Sequence, residues 1–405
     1  GSLSSRIRLA GLNLTRPSPR FRLLPELIQE LRELGLKGSA FRIGWELKTR
    51  MNLTGRRRLL QEAPASGQPA DPNPQWTTRL PFSEPKSVAD AMRGLIPAEG
   101  LDSLRHRARE AGDGRVLCFG RWEADYGDPI DWHRDPVSGF RRDPSVSWAR
   151  SLEEGDGASE VKIVWEIARF PHAYQLARTA AFFPEDAPAL STSLMAQIRA
   201  FVFANPPALG VNWASGQEIV FRLLAWLFAL DALILQEREA KDAAEFVRRA
   251  ILRGARHVRD HVEYARHAVY NNHLLTEALG LYAIGTLFAG TPEMERLRDL
   301  GRRILVEEAR RQFYEDGAYI NLSHNYHRVA LQDMHWAVVF ARAGGDGVPA
   351  EWTKAIGRSI DFLVAHQNPE DGRLPNYGSN DGALPGLFST CDFSDFRPTL
   401  QAASL

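Results

Sequence analysis

From residue 162 to about residue 367 the chain reads as a succession of long helices, and these helices recur in pairs at a nearly constant interval. The pairs begin near Val161, Gly216, Asn272 and Tyr326, so the successive steps are 55, 56 and 54 residues. A constant interval with little residue identity between units is typical of stacked helical hairpins, in which each unit packs on its neighbours. The spacing therefore predicts a mainly all-α repeat fold. It leaves open whether the hairpins close into a ring.

Apolar residues with helical periodicity, separated by short polar turns, predict eight helices in this region. They are expected at Lys162–Phe183, Ser191–Asn205, Gln217–Gln236, Ala240–His267, Leu274–Ala289, Pro292–Phe313, Arg328–Ala343 and Glu351–His366. Each hairpin buries its first helix between neighbours, so all first helices should begin at one rim of the array. Asn272 and Tyr326 hold equivalent points of successive hairpins and are expected to lie close together on that rim.

The rest of the chain lacks this regularity, and we divide the chain near residue 110. Residues 1–110 are predicted to form an N-terminal helical region with a linker, and residues 111–405 the helical-repeat domain. The remaining predicted segments are helices at Leu24–Leu36, Arg42–Arg58 and Ser87–Ala111, a loop at Glu62–Pro85, a short strand at Arg115–Gly120, a structured loop at Trp122–Asp143, a turn-rich stretch at Asn368–Phe396 and a short helix at Arg397–Ser404.

Composition argues against several broad classes of protein. Basic and acidic residues both number 50, so no global charge recruits nucleic acid or a membrane surface. The most apolar run, Ile219–Leu235, contains Arg222 and Asp231, which favours a core helix over a membrane span. Two distant cysteines, Cys118 and Cys391, form neither a metal cluster nor a disulfide framework. No signal-like segment is visible, and a periplasmic and a cytoplasmic location both remain open.

The first polar cluster is Asn271-Asn272-His273, directly before an apolar helix. A single N-cap residue would suffice there, whereas amides and an imidazole at a helix N-terminus suit the binding of an anion. The alternative is a cap followed by an ordinary buried histidine. The two interpretations have similar weight on residue type alone.

The second polar cluster includes Tyr326, His327 and Arg328. A tyrosine acts as an acid or base only when a neighbouring cation stabilises its phenolate, and either His327 or Arg328 could do this. The alternative is an ordinary aromatic residue at a helix start. His324 and His327 have no carboxylate or cysteine at ligand spacing, so no metal site is predicted.

Three further groups are candidates for contact with substrate. Trp165, Arg169 and His172 follow i, i+4, i+7 spacing, which suits sugar stacking and carboxylate binding but equally a buried polar contact between helices. Asn212 and Trp213 stand before the second hairpin, on the same predicted rim. The last group, which could equally consist of turn-forming residues, is Asn376, Tyr377, Asn380 and Asp381.

No Gly-rich phosphate loop, nucleophile serine motif, His-Glu metal helix or cysteine-pair motif is found, so no cofactor is predicted. Glycoside hydrolysis would need two carboxyl groups at the rim. Glu166, Glu315 and Asp316 are candidates, and a hydrolase therefore stays open as a less favoured function.

Several of these segments, taken in order, resemble the heparinase II/III-type polysaccharide lyases over about residues 110 to 400. The four main segments are YNNHLLTEALGL (270–281), YEDGAYI (314–320), NYHR (325–328) and SNDGA (379–383), with further similarity at GDPIDW (127–132) and GVNW (210–213). The resemblance implies an N-terminal α/α toroid. It also implies that the C-terminal antiparallel β-sandwich of the family is missing from this chain.

The resemblance further implies β-elimination on a uronic-acid polysaccharide, which would be the partner of this chain. Asn272 would neutralise the uronate carboxylate. Tyr326 would protonate the leaving glycosidic oxygen and could also abstract the C5 proton in a syn geometry, while His273 would orient this pair or contact substrate. In the family a histidine of the β-sandwich completes the site. The alternative function is therefore a weakly catalytic or non-catalytic module that binds uronate polysaccharide in exopolysaccharide production.

Overall fold

The computed structural model describes residues 38–45, 47–49, 85–155, 157–234, 241–386, 389 and 391–404. The predicted helix at Leu24–Leu36 lies outside these residues, as does the loop at Glu62–Pro85 except for its last residue. Of the helix predicted at Arg42–Arg58, residues 42–45 and 47–49 are described and are helical.

The described chain is built mainly of helices, together with one antiparallel pair of short strands in which Arg115 pairs with Asp125. The elements are α1 (Pro85–Met92), α2 (Ala98–Gly112), β1 (Arg115–Cys118), β2 (Trp122–Asp125), α3 (Val161–Ala168), α4 (Pro171–Phe182), α5 (Ala187–Ala204), α6 (Gly216–Ala232), α7 (Lys241–Tyr264), α8 (Asn272–Leu287), α9 (Pro292–Arg311), α10 (His324–Ala343), α11 (Ala350–His366) and α12 (Arg397–Ser404).

Helices α4, α6, α8 and α10 form an inner layer in which each packs on the next. Every residue of α6 after Gly216 is buried, and so is every residue of α8 except His273. The second helices α7, α9 and α11 bury one face only, since charged residues cover the other. The prediction of a mainly helical α/α toroid, with the first helix of each hairpin inside, is confirmed.

The single helix predicted at Lys162–Phe183 is wrong, because the chain forms two helices there. Phe170 has a left-handed backbone, with φ of 58°, between α3 and α4. Pro171 explains the break: proline disfavours a helical conformation in the residue before it and is well placed at the first position of a new helix. Pro97 similarly divides the helix predicted at Ser87–Ala111 into α1 and α2.

Two differences in element boundaries bear on the site and its surroundings. The first four residues of the loop predicted at Trp122–Asp143 form β2, where they pair with β1. Helix α10 begins at His324 rather than at Arg328, because the Ser323 side chain caps it. Tyr326 therefore lies in the first turn of α10 and not in a connector.

A cavity of about 660 Å³ lies between α4 and α10, the first and last inner helices, and α2 and α12 also contribute to its wall. Among the described helices, none combines the length and apolar character that crossing a membrane requires.

Candidate functional site

Helix α8 begins after two asparagines that make different contacts. Asn271 is the N-cap, and its side chain accepts a hydrogen bond from the backbone N–H of His273 at 2.9 Å. Asn272 is only 1% exposed; its Oδ1 accepts a hydrogen bond from Nδ2 of Asn321 at 3.3 Å. Its own Nδ2 has no hydrogen-bond partner among the described residues. An unpaired buried donor costs about 1–3 kcal/mol, and this amide is therefore a candidate donor to a ligand.

Helix α10 places a phenol at the equivalent point of the next hairpin. The Ser323 hydroxyl accepts a hydrogen bond from the backbone N–H of Tyr326 at 3.2 Å. The Tyr326 side chain is nearly buried, and its hydroxyl donates to Oδ2 of Asp381 at 3.2 Å. Burial, followed by the negative charge of Asp381, raises the pKa of Tyr326 well above its usual value. The phenol is therefore protonated at physiological pH.

A buried ion-pair triad lies beside these residues. Arg169, which ends α3, donates from Nε and Nη2 to both carboxylate oxygens of Glu218, at 2.5 and 2.8 Å. Its Nη1 donates to Glu166 at 2.6 Å, and Glu166 also accepts the backbone N–H of Phe119 at 2.9 Å. These bonds use all three guanidinium nitrogens of Arg169. Arg169 thus makes the buried polar contact between helices that the sequence offered as the alternative to binding a substrate carboxylate.

The pKa values of His273 and Tyr326 are both affected by the charges of Glu218, Asp381 and Arg169. This indicates that the first turns of α8 and α10 share one site. Burial lowers the pKa of His273 to about 4, with smaller effects from Glu218, Asp381 and Arg169. The pKa of Tyr326 responds to these same three groups. His273 keeps some solvent exposure on the first turn of α8, but the protein atoms packed around its ring disfavour the charged form, so it is a neutral imidazole at physiological pH.

Residues 375–383 form one wall of this site, packed on the start of α10. Ser323 donates its hydroxyl hydrogen to the backbone oxygen of Ser379 at 2.5 Å, and the backbone N–H of His324 donates to the oxygen of Tyr377 at 3.2 Å. Gly378 has φ of 74°, and a Cβ there would lie 2.3 Å from the backbone oxygen of Leu322. Close backbone approach at a glycine fixes this wall against the helix.

The candidate residues Asn376, Tyr377 and Asn380 lie on this wall. The Asn380 side chain donates to Oδ1 of Asn376 at 3.0 Å, and the Tyr377 ring is exposed with its centroid 5.8 Å from the His324 ring. An exposed tyrosine ring beside the site is a suitable surface for stacking a sugar. Their assignment to substrate binding stays a prediction.

Trp165, Arg169 and His172 do not share one helix face as predicted, because the chain turns at Phe170. The buried Trp165 ring donates from Nε1 to the backbone oxygen of Val211 at 3.0 Å. The buried His172 ring pairs with Oε1 of Gln197 at 2.9 Å. Of the three, the structure places Arg169 alone beside Tyr326.

Asn212 and Trp213 are buried below the rim and make structural contacts. Asn212 donates to the backbone oxygen of Trp132 at 3.0 Å and to Asn205 at 2.9 Å. The Trp213 ring donates to the backbone oxygen of Asn205 at 3.3 Å and packs against His257. These contacts connect the loop before α6 to its neighbours.

His327 and Arg328 point away from the Tyr326 phenol, so neither supplies the cation that the sequence suggested. The His327 ring packs on Tyr319, with centroids 5.8 Å apart, and burial lowers its pKa to about 3. The Arg328 guanidinium lies over the Phe393 ring and lines the cavity between α4 and α10. The charged group that contacts the phenol is instead the carboxylate of Asp381.

Glu218 belongs to the site geometry but was not among the residues singled out for catalysis or binding, and Asp381 was considered only for contact with substrate, not as a partner of Tyr326. A signal for Glu218 was present, because Glu218, Asn272 and Tyr326 are separated by 54 and 54 residues. Asp381 offered no such signal, since it lies beyond the last hairpin in a stretch typical of turns. Within the described residues, no group of three or more histidine, cysteine or acidic side chains could hold a metal ion.

The fold and this rim define the class of the protein, an α/α toroid of helical hairpins with polar residues where the inner helices begin. The chain belongs to the family described as Heparinase II/III N-terminus, whose family model matches residues 115–385. The resemblance inferred from the sequence motifs is thereby confirmed. The sequence matches none of the curated proteins with which it was compared.

Two similar solved structures are a heparinase III and the heparan sulfate lyase HepC from Pedobacter heparinus. The heparinase III has a TM-score of 0.50 and 15% identity, over 72% of this chain and 44% of that chain. HepC has a TM-score of 0.48 and 17% identity, with the same coverage of 72% and 44%. At this identity the likeness concerns the fold alone. The chain spans less than half the length of these structures.

Proposed function

We propose that this chain forms the helical part of a polysaccharide lyase that cleaves a uronic-acid-containing polysaccharide by β-elimination. The observation that carries the proposal is the pairing of two unlike groups at equivalent points of successive hairpins. One is the unpaired buried amide of Asn272, and the other is the protonated phenol of Tyr326. The names of the structural neighbours, heparinase III and heparan sulfate lyase, support a glycosaminoglycan-type substrate.

The chemistry of β-elimination gives each group a role. Removal of the C5 proton places negative charge on the neighbouring carboxylate, and Asn272 Nδ2 is suited to donate a hydrogen bond to it. One well-placed donor of this kind is worth about 10²–10³ in turnover. The C4–O4 bond then breaks, the C4–C5 double bond forms, and Tyr326 supplies a proton to the departing oxygen.

Glycoside hydrolysis by a carboxylate pair receives less support from the site. Glu166 is bound to Arg169 in the triad, and Asp316 accepts the backbone N–H of Ala318 at 3.0 Å in an exposed turn. A hydrolase would need Glu166 or Glu315 for turnover and would not need Tyr326.

The experiment that tests the lyase proposal is incubation of the chain with a panel of uronate polymers, including heparan sulfate, alginate and hyaluronan. We expect ultraviolet-absorbing unsaturated ends with at least one polymer, and their loss in Tyr326→Phe. Tyr319→Phe is a matched control, because Tyr319 is a buried tyrosine whose hydroxyl donates to Gln312 instead. Hydrolysis without a new double bond would refute β-elimination. Binding of the polymers without any product would favour the alternative, a uronate-binding module.

A further inference from the structure

Asp381 lies beside the Tyr326 phenol, although it comes from a stretch typical of surface turns. Its Oδ2 accepts the phenolic hydrogen bond at 3.2 Å, across 55 residues of sequence. We propose that Asp381 is a positioning residue: by accepting this hydrogen bond it holds Tyr326 as a proton donor and prevents the phenol from serving as the base. The inference rests on the proposed lyase function and assigns one half of the proton chemistry.

The Asp381 carboxylate is held in place from more than one side. Its Oδ1 accepts the backbone N–H of Ala383 at 3.0 Å and the side-chain amide of Asn325 at 3.5 Å. The next residue, Gly382, has φ of 74°, and a Cβ there would lie 2.4 Å from the Phe119 ring. The loop thus fits closely against its neighbours, and the carboxylate is presented to the phenol by a constrained backbone.

The other charged groups near the phenol reinforce the effect of Asp381. Arg169, at the end of α3, is the cation whose charge favours the phenolate, but its guanidinium is bound by Glu166 and by Glu218 of α6. Negative charges close to a phenol disfavour its ionisation, because the phenolate that forms is also negative. A phenolate here would form beside the Asp381 carboxylate, with the nearest positive charge already neutralised.

Another titratable group that faces this region, His273 of α8, is neutral because burial lowers its pKa to about 4. A neutral imidazole can accept a proton, whereas the phenol held by Asp381 can only give one. In the elimination the C5–H electron pair forms the double bond as the C4–O4 bond breaks. The C5 proton goes to a base other than the phenol, and the Tyr326 proton goes to O4. Exchange with water then returns the base and Tyr326 to their starting forms, so protons balance over the cycle.

The decisive experiment is a direct titration of Tyr326 by NMR of full-length protein labelled with ¹³Cζ-tyrosine. The Tyr326 resonance is assigned by its loss in Tyr326→Phe. Asp381→Asn keeps the size of the side chain and the turn hydrogen bond from Ala383, but removes the charge. We expect the pKa of Tyr326 to fall by about one to two units in this variant. The alkaline limb of the kcat/KM profile on a cleaved polymer should move by the same amount.

Asp371→Asn is the matched control, because exposed Asp371 accepts a backbone N–H from Arg373 at 3.0 Å in the same kind of turn. It should leave both readouts unchanged. An unshifted Tyr326 pKa in folded Asp381→Asn would overturn the proposal, as would an equal shift in the control. If Asp381→Asn does not fold, Asp381→Ser retains a turn cap without the charge and decides the question. The titration needs no substrate, so a lack of cleavage of every polymer refutes the lyase function separately.

Discussion

The two adjacent asparagines at the start of α8 have different roles. Asn271 satisfies the helix N-terminus, and Asn272 is left with an unpaired buried donor. The sequence interpretation that one cap would suffice is consistent with this arrangement, because the second amide is not used as a cap. Because this unpaired donor lies at the start of α8, beside the other polar residues of the site, it is available to a ligand there.

Replacement of these two asparagines should therefore separate stability from function. Asn271→Ala removes the N-cap and should lower the free energy of unfolding by about 1 kcal/mol. Asn272→Ala should change stability less, because it loses one long hydrogen bond from Asn321, at 3.3 Å, but also removes an unpaired buried donor. It should nevertheless lower kcat/KM on a cleaved uronate polymer about 10²–10³-fold. Urea unfolding and product absorbance measure the two effects. Equal loss of activity in both variants would argue against a ligand role for Asn272.

Residues of the site differed in how far the sequence could reveal them. Asn272 and Tyr326 follow from hairpin spacing, and the same 54-residue step leads back to Glu218. The roles suggested for His327 and Arg328 depended on side-chain direction, which adjacency in sequence does not provide: in a helix, neighbours point about 100° apart. Asp381 is brought to the phenol by tertiary contacts alone.

At the scale of elements, hairpin repetition made the helices predictable, whereas the break at Phe170 and Pro171 required closer attention to proline. The break matters for the site, because it ends α3 at Ala168 and places Arg169 at the C-terminal end of the helix, where its side chain contacts Glu218 on α6. Apolar periodicity continued across the break and suggested one helix. Local backbone chemistry overrode that periodicity.

The packing of residues 375–383 on α10 can be tested by a substitution at Gly378. Gly378→Ala forces a Cβ to within 2.3 Å of the Leu322 backbone oxygen in addition to straining a φ of 74°. Gly345→Ala strains a similar φ of 71° where no atom lies within 4 Å. We expect the control to lose about 1–2 kcal/mol from strain alone and Gly378→Ala to lose more. Hydrogen exchange at the Tyr326 amide should quicken in Gly378→Ala only. Equal losses would mean that the wall is not packed on α10.

At the scale of the whole molecule, buried ionisable groups set how stability depends on pH. Asp333 on α10 is fully buried; its Oδ2 accepts a hydrogen bond from Thr276 on α8 at 2.6 Å. Burial raises the pKa of Asp333 well above its usual value, and it does the same for Glu277. The folded state therefore binds these protons more tightly than the unfolded state. Their contribution to stability is complete below about pH 4 and is lost as pH rises towards the folded pKa.

Asp333→Asn should therefore stabilise the protein at neutral and alkaline pH. The amide is neutral at every pH and can still accept the Thr276 hydrogen bond, so the variant lacks the slope of about 1.4 kcal/mol per pH unit that one such group contributes. Urea unfolding between about pH 5 and pH 9 should show its advantage growing with pH. Asp299→Asn, on the exposed face of α9, is the control and should run parallel to the wild-type protein. A pH-independent difference for Asp333→Asn would contradict this explanation.

The acceptor for the Tyr326 phenol comes from residues 375–383, which are made after all four hairpins. During synthesis a nascent chain that has emerged only as far as α11 already contains Asn272, Tyr326 and the Arg169 triad, but its phenol has no carboxylate beside it. The hydrogen bond that holds the Tyr326 phenol can therefore form only after all four hairpins have been made.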